Sequence, residues 1–271
     1  MEKTPKINRQ NIAIDTRFIA TPYGEIYIKQ WIPENAYDKP ALILVHDSLG
    51  SVELWKDFPA ILSERLSRRV IAYDRLGFGR SFARNELPSV NFIEEEALIY
   101  FPLIKEALSI SHYLLLGHSV GGAMAITIAA NDPDCLGAIT ISAQAFVEEL
   151  TLSGISNAKA FFAQPVQMKR LEKYHGKKTQ WVLSAWIDVW LSPEFSNWNL
   201  AGCITKVKCP VLAIHGANDE YGSVAFPCYI KNNVSGIAQT EIITDCGHIP
   251  HKEKQSEVVD AIEQFFTAHA L

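Results

Sequence analysis

A serine fenced by glycines, Gly117-His118-Ser119-Val120-Gly121, stands where the apolar run Tyr113 to Leu116 gives way to the small-residue run Ala123 to Ala130. The first run reads as a strand covered on both faces, the second as a tightly packed helix. A serine in G-x-S-x-G at such a joint sits on a strained turn, and the glycines leave room for strand and helix to approach closely. The hydroxyl is thereby presented at the strand end, with the first amides of the helix aimed at anything bound beside it. This is the placement expected of a nucleophile that attacks a carbonyl carbon.

Serine is a weak nucleophile at neutral pH until a base takes its proton, and that base needs a carboxylate to set its tautomer. Two later strand ends offer the partners: Asp219 follows "LAIHGAN", and His248 follows "IITDCG". Glu220 competes with Asp219 for the acid, and His251 and Asp245 stand three residues either side of His248 and read as loop residues. Attack also creates an oxyanion, which requires preorganised donors. The amide of Val120, next to the nucleophile, is one candidate, and that of Ser48, in the loop "VHDSLGS" after the first parallel strand, is the other.

These residues must be held by a sheet. Arg17 to Ile32 reads as a hairpin turning at Pro22-Tyr23-Gly24. Short apolar strands follow at Ala41–Ser48, Arg69–Arg75, Gly137–Ala143, Pro210–Gly216 and Thr240–Cys246, alternating with helical segments such as Trp55–Leu66 and Ile93–Leu108. Strand–helix alternation implies a largely parallel sheet with an antiparallel start. Ser89 or Asn91 is placed to cap the second helix, whose Glu94, Glu95 and Glu96 read as a solvated first turn favoured by the helix dipole, with no metal site. From Ala145 to Ala201 the alternation stops and the chain becomes helical and aromatic, with four of its six tryptophans there. Such an insert reads as a helical lid over the sheet edge, its tryptophans divided between packing and pocket lining; Trp181, Trp186 and Trp190 are the candidates for the pocket.

Composition bounds the partners. The 271 residues are 48% hydrophobic and 20% charged, with a net charge of −5, which suits a soluble enzyme and not a nucleic-acid surface. The charged start "MEKTPKINRQ" has no apolar signal core, and no run of eighteen apolar residues offers a membrane span; a cytoplasmic protein with a small-molecule substrate and no membrane partner is expected. Five cysteines without a CxxC pair read as reduced, mostly buried thiols, with no disulfide framework and no zinc site. His46 and His118 read as turn residues that bond locally, while His175 and His215 give no signal.

Five motifs, in order, resemble the α/β-hydrolase superfamily over nearly the whole chain: "LVHDSLG", "YDRLGFGRS", "GHSVGG", "HGANDEYG" and "GHIPHKE". The chain is most similar to compact members with one helical lid. The resemblance implies an α/β-hydrolase fold: one domain over 1–271, a mostly parallel sheet with an antiparallel N-terminal hairpin, helices on both faces, and a lid over about 145–201. It implies a serine hydrolase with the triad Ser119, His248 and Asp219, the oxyanion amides of Ser48 and Val120, and no cofactor or metal. A small to medium carboxylic ester is the expected substrate. A thioesterase, a C–C bond hydrolase of a vinylogous diketone, and a non-catalytic ligand-binding homologue are the alternatives. The C–C reading needs a cation in the pocket, for which Lys169, Arg170, Lys173, Lys177 and Lys178 are available. Asp74 belongs by resemblance to a structural turn. One departure stands out: Asp47 occupies the place where the family usually has glycine, and a carboxylate there is expected to point away from the oxyanion pocket.

Overall fold

The computed structural model describes residues 12–34, 36 and 39–271. The charged start of the chain, read above as lacking a signal core, lies outside the described residues.

Among the described residues eight strands form one sheet: β1 (Ile12–Thr21), β2 (Gly24–Pro33), β3 (Ala41–Val45), β4 (Val70–Tyr73), β5 (Tyr113–His118), β6 (Cys135–Ile141), β7 (Val211–Gly216) and β8 (Ala238–Ile243). Their spatial order is β1-β2-β4-β3-β5-β6-β7-β8. The pairs β1/β2 and β2/β4 are antiparallel and all others parallel, as the alternation pattern predicts. Among the described residues ten α-helices accompany them: α1 (Phe58–Leu66), α2 (Phe92–Glu95), α3 (Phe101–Ala107), α4 (Val120–Asn131), α5 (Glu149–Phe162), α6 (Pro165–His175), α7 (Thr179–Trp190), α8 (Ala225–Asn233), α9 (Pro250–Glu253) and α10 (Gln255–His269).

Side chains of the central strands alternate between two cores. Ala41, Ile43 and Val45 of β3 face a core shared with α3, α4 and α8, while Leu42 and Leu44 face one shared with α1 and α10. Each fully buried leucine or isoleucine contributes about 1.5–3 kcal/mol to folding. Helices thus cover both faces. The connection β3–α1–β4 runs on one face and β5–α4–β6 on the other, so the chain reverses direction of travel between β3 and β5. Loops at such a reversal part and leave a crevice at the carboxyl ends of the strands. Ser48 and Ser119 lie on its two sides.

Two local features differ from the periodicity. The expected helix Ile93–Leu108 is broken into α2, a π-helical turn (Glu96–Tyr100) and α3. Pro102 explains the break, since it has no N–H for an intrahelical bond and its ring crowds the preceding turn. Glu96 is not solvated: it is buried, and its carboxylate accepts a 2.7 Å hydrogen bond from the Tyr73 hydroxyl. Asn91 precedes α2 without a side-chain cap, and Ser89 Oγ instead bonds Glu95. Of the free cysteines, Cys135 and Cys246 are buried and Cys228 is exposed.

The segment between β6 and β7 carries α5, α6 and α7. Its ends are stitched together by the Phe146–Asn199 bridge and by bonds from Val147 N to Trp198 O and from Leu200 N to Ala145 O. Two side chains pin it to the loops that follow β3 and β4. His175 Nδ1 accepts from Gly79 N at 2.9 Å while its Nε2–H donates to Leu49 O at 2.9 Å, and Lys178 Nζ donates to the carbonyls of Phe78 and Ser81.

Burial, aided by the nearby Lys178 charge, pushes the His175 pKa down to about 4 despite the Leu49 hydrogen bond. An unfolded histidine titrates near 6.5. Below that pH the unfolded chain takes up a proton that folded His175 refuses, so stability falls from about pH 6.5 to about pH 4 and this loss is complete below. For one group the change is about 3 kcal/mol. Urea unfolding at pH 7 and pH 5 is expected to show a smaller pH-dependent loss in His175→Gln than in the wild type. Equal losses in the two proteins would show that His175 does not carry it.

Candidate active site

The nucleophile candidate is shaped by its neighbours. Ser119 ends β5 with φ 56° and ψ −126°, a conformation non-glycine residues seldom adopt. A Cβ on Gly117 would lie 2.0 Å from Gly121 O, and one on Gly121 would lie 2.2 Å from Val45 O. Strand and helix therefore meet at this angle only with hydrogen at both positions. The turn holds Ser119 at the carboxyl end of the sheet, and Val120, the first residue of α4, has no intrahelical acceptor for its amide.

A hydrogen-bonded chain runs from this serine. His248 Nε2 is 3.0 Å from Ser119 Oγ, and His248 Nδ1 is 2.9 Å from both carboxylate oxygens of Asp219. Three strand ends, β5, β7 and β8, supply the three side chains, which lie 29 and 129 residues apart along the chain. Glu220 does not reach the imidazole; its carboxylate accepts from the His248 amide at 3.2 Å. Asp219 is further held by Tyr221 N, 2.8 Å from Oδ1, and sits 3.5 Å from His215 Nε2.

The charges follow from these contacts. Burial alone would lower the His248 pKa, but the hydrogen bond and charge of Asp219 outweigh it and the net shift is upward. Burial would likewise raise Asp219, yet the His248 and His215 rings keep its carboxyl below the ordinary value. A carboxylate paired with Nδ1–H leaves Nε2 as the free base facing the serine.

The crevice above Ser119 is a cavity of about 240 Å³, with Ile155, Phe161 and Phe162 from α5 and Trp186 and Trp190 from α7 on its insert side. Leu49, Tyr221 and Ile249 continue the apolar wall, and Asp47, Ser48, Gln144 and Thr151 bring polar groups to it. Among the described residues, no lysine or arginine lines it. Ser48 and Val120 also border one small void beside Trp186 and Trp190.

Trp181 departs from expectation. Its ring covers Gly77, packs edge-on against Phe78 at 5.4 Å, and donates its Nε1–H to Glu86 O, so it fastens the insert and does not line the cavity. The lysines suggested for a carboxylate grip are outside the cavity as well. Asp74 makes the expected turn, accepting from Val52 N and Arg80 N at 2.6 and 2.7 Å. His251, read as a loop residue, is buried in α9 against Trp55 and Phe58.

Three residues near the serine were not singled out for the site from sequence. The Gln144 side-chain amide lies 3.3 Å from Ser119 Oγ. Tyr221 packs its ring 4.8 Å from that of His248, and burial with the charges of Glu220 and Asp219 pushes its phenol up to about 12. His118, expected to bond within its own turn, instead reaches Asp47 and the His248 carbonyl. Gln144 and Tyr221 stand just beyond the ends of β6 and β7, and position at a parallel strand's carboxyl end was the signal available for them.

The family model for the alpha/beta hydrolase fold matches residues 40–164. A proline iminopeptidase of Lactobacillus helveticus is 21% identical over 86% of this chain and 91% of its own length. A 2-hydroxymuconate semialdehyde hydrolase of Pseudomonas sp. (strain CF600) is 28% identical over 55% of this chain and 53% of its own. Among solved structures, a bacterial membrane phospholipase A superposes with a TM-score of 0.77 at 18% identity, covering 95% of this chain and 87% of that one.

Proposed function

We propose, on the α/β-hydrolase fold and the family model's match to residues 40–164, that the chain is a serine hydrolase acting on a small to medium, uncharged carboxylic ester through an acyl-enzyme. The observation that carries this reading is the bonded chain Ser119–His248–Asp219 at the floor of an apolar cavity. Ser119 Oγ attacks the ester carbonyl as His248 Nε2 takes its proton, and Asp219 stabilises the imidazolium that forms. The amides of Ser48 and Val120 receive the oxyanion. His248 then returns the proton to the departing alcohol, and a water activated in the same way releases the acid. No cofactor enters this sequence.

The cavity wall sets the substrate preference. A C–C hydrolase of the vinylogous diketone class must hold a carboxylate, and among the described residues no lysine or arginine lines the cavity to grip one. An aminopeptidase must hold an ammonium group; Asp47 is the acidic residue on the wall, and its oxygens are engaged by Leu49 N and His118. Neutral acyl groups that pack against Trp186, Trp190, Phe161 and Ile155 suit the wall best. The test is turnover of a chain-length series of p-nitrophenyl esters and matched thioesters beside a ring-cleavage dienoate and prolyl-p-nitroanilide. Highest kcat/KM on a neutral ester supports the reading, and preference for the dienoate or the prolyl amide overturns it.

The base must be unprotonated to act. Because the His248 pKa lies above the ordinary histidine value of about 6.5, kcat/KM is expected to fall on acidification through a pKa above that value. An acid limb below about 6 would contradict the assigned pairing with Asp219.

A further inference from the structure

Beside the triad lie a partly exposed carboxylate, Asp47, and a buried imidazole, His118, that it does not use. His118 immediately precedes the nucleophile, and its side chain is 3% exposed. Its Nδ1 is 3.1 Å from Asp47 Oδ2, and its Nε2 is 2.9 Å from the backbone carbonyl oxygen of His248. Both partners only accept. A neutral imidazole carries one N–H and satisfies one of them; the ring makes both bonds only as an imidazolium.

His46, Arg75, His175, His248, His251, Lys252 and Tyr221 are titratable groups around the pair. His46 and His251 are both held well below the ordinary histidine value, chiefly by burial. Arg75 donates to the Asp47 carbonyl and not to its carboxylate. Burial would raise the Asp47 carboxyl, but its bond to His118 and the charges of His118 and His46 hold it well below the usual range. Asp47 Oδ1 is anchored by Leu49 N at 2.9 Å.

We propose that Asp47 and His118 form a second carboxylate–imidazolium pair whose far end clasps the main chain of His248, making both of them positioning residues for the catalytic base. This rests on the reading of Ser119 as nucleophile and His248 as base. One ring then ties together the loop after β3, the turn carrying Ser119 and the loop after β8. It gives a reason for aspartate where the superfamily usually has glycine: the carboxylate is turned onto His118 and braces the base. The bond at the His248 carbonyl fixes the reach of Nε2 to Ser119, and misplacement by about 1 Å lowers rates about 100-fold.

The experiment compares wild type, His118→Ala, Asp47→Gly and Asp47→Asn in fluorophosphonate labelling of Ser119, in kcat and KM on a short aryl ester, and in the ¹⁵N spectrum of the histidine rings. In the wild type both His118 ring nitrogens should carry protons, donated to Asp47 and to the His248 carbonyl. His118→Ala and Asp47→Gly should each slow labelling and lower kcat by about 30- to 100-fold with KM little changed. In Asp47→Asn the carboxamide NH₂ can donate to Nδ1, leaving a neutral ring whose Nε2–H still bonds the His248 carbonyl. That variant should keep kcat within about fivefold of wild type, with one His118 nitrogen deprotonated. Wild-type labelling rates in both His118→Ala and Asp47→Gly, or a wild-type His118 ring carrying a single proton, would overturn the proposal alone. Failure of the wild type to label would overturn the nucleophile assignment, and the proposal with it.

Discussion

Replacing Ser119 with alanine is expected to lower kcat on a neutral ester by about five to six orders of magnitude while the folded state is retained. On the proposed mechanism this hydroxyl forms the acyl bond, and it is the one that lies 3.0 Å from His248 Nε2. Gln144 beside it is a carboxamide, and Thr151 belongs to the insert wall at the start of α5. The φ of 56° at Ser119 costs alanine no more than serine, so loss of activity should not come with loss of fold. Substrate binding is expected to survive, because Trp186, Trp190, Phe161 and Ile155 are untouched. The measurement is steady-state kinetics with an equilibrium binding assay of a non-hydrolysable ketone analogue. Residual activity within about 100-fold of wild type would mean that hydrolysis proceeds without an acyl-enzyme on this residue.

Asp219→Asn is expected to cost about 10⁴-fold in kcat. Asparagine fits the same space, but its carboxamide can present N–H to His248 Nδ1. The ring then carries its proton on Nε2, the nitrogen that must accept from Ser119. The imidazolium formed in the transition state also loses its counter-charge. Glu220→Gln supplies the contrast, since Glu220 touches the His248 amide and not its ring. A loss of about tenfold or less is expected there. Comparable losses in the two variants would show that the acid had been assigned to the wrong carboxylate.

Much of this arrangement was legible before any coordinates, for physical reasons. The parallel strands are short apolar runs because both their faces are buried, and the serine stands out because the turn around it tolerates only hydrogen at Gly117 and Gly121. Asp219 and His248 follow strand ends, where side chains of a parallel sheet converge. What sequence could not supply was orientation. Trp181 and Trp186 are five residues apart on one helix, yet one covers Gly77 and the other faces the cavity; only the docking of α7 decides which. The partners of His118, 71 and 130 residues away, have no local pattern that announces them. Glu96 read as solvated because burial beside Tyr73 depends on the π-helical turn, which periodicity does not encode.

The pin at His175 belongs with those tertiary features. It joins the insert to Leu49, two residues from Asp47, so the loop that carries Ser48 is held from the insert on one side and from His118 on the other. Preorganised amides need such support, since a donor that shifts in the transition state stabilises less charge.

The most direct test of the central claim is fluorophosphonate labelling with the adduct mapped by mass spectrometry in wild type and His248→Ala. The account predicts a rapid stoichiometric adduct on Ser119 in the wild type and its near-disappearance in the variant. An adduct on another residue, an equal rate without His248, or no adduct in a wild type that turns over esters would contradict it.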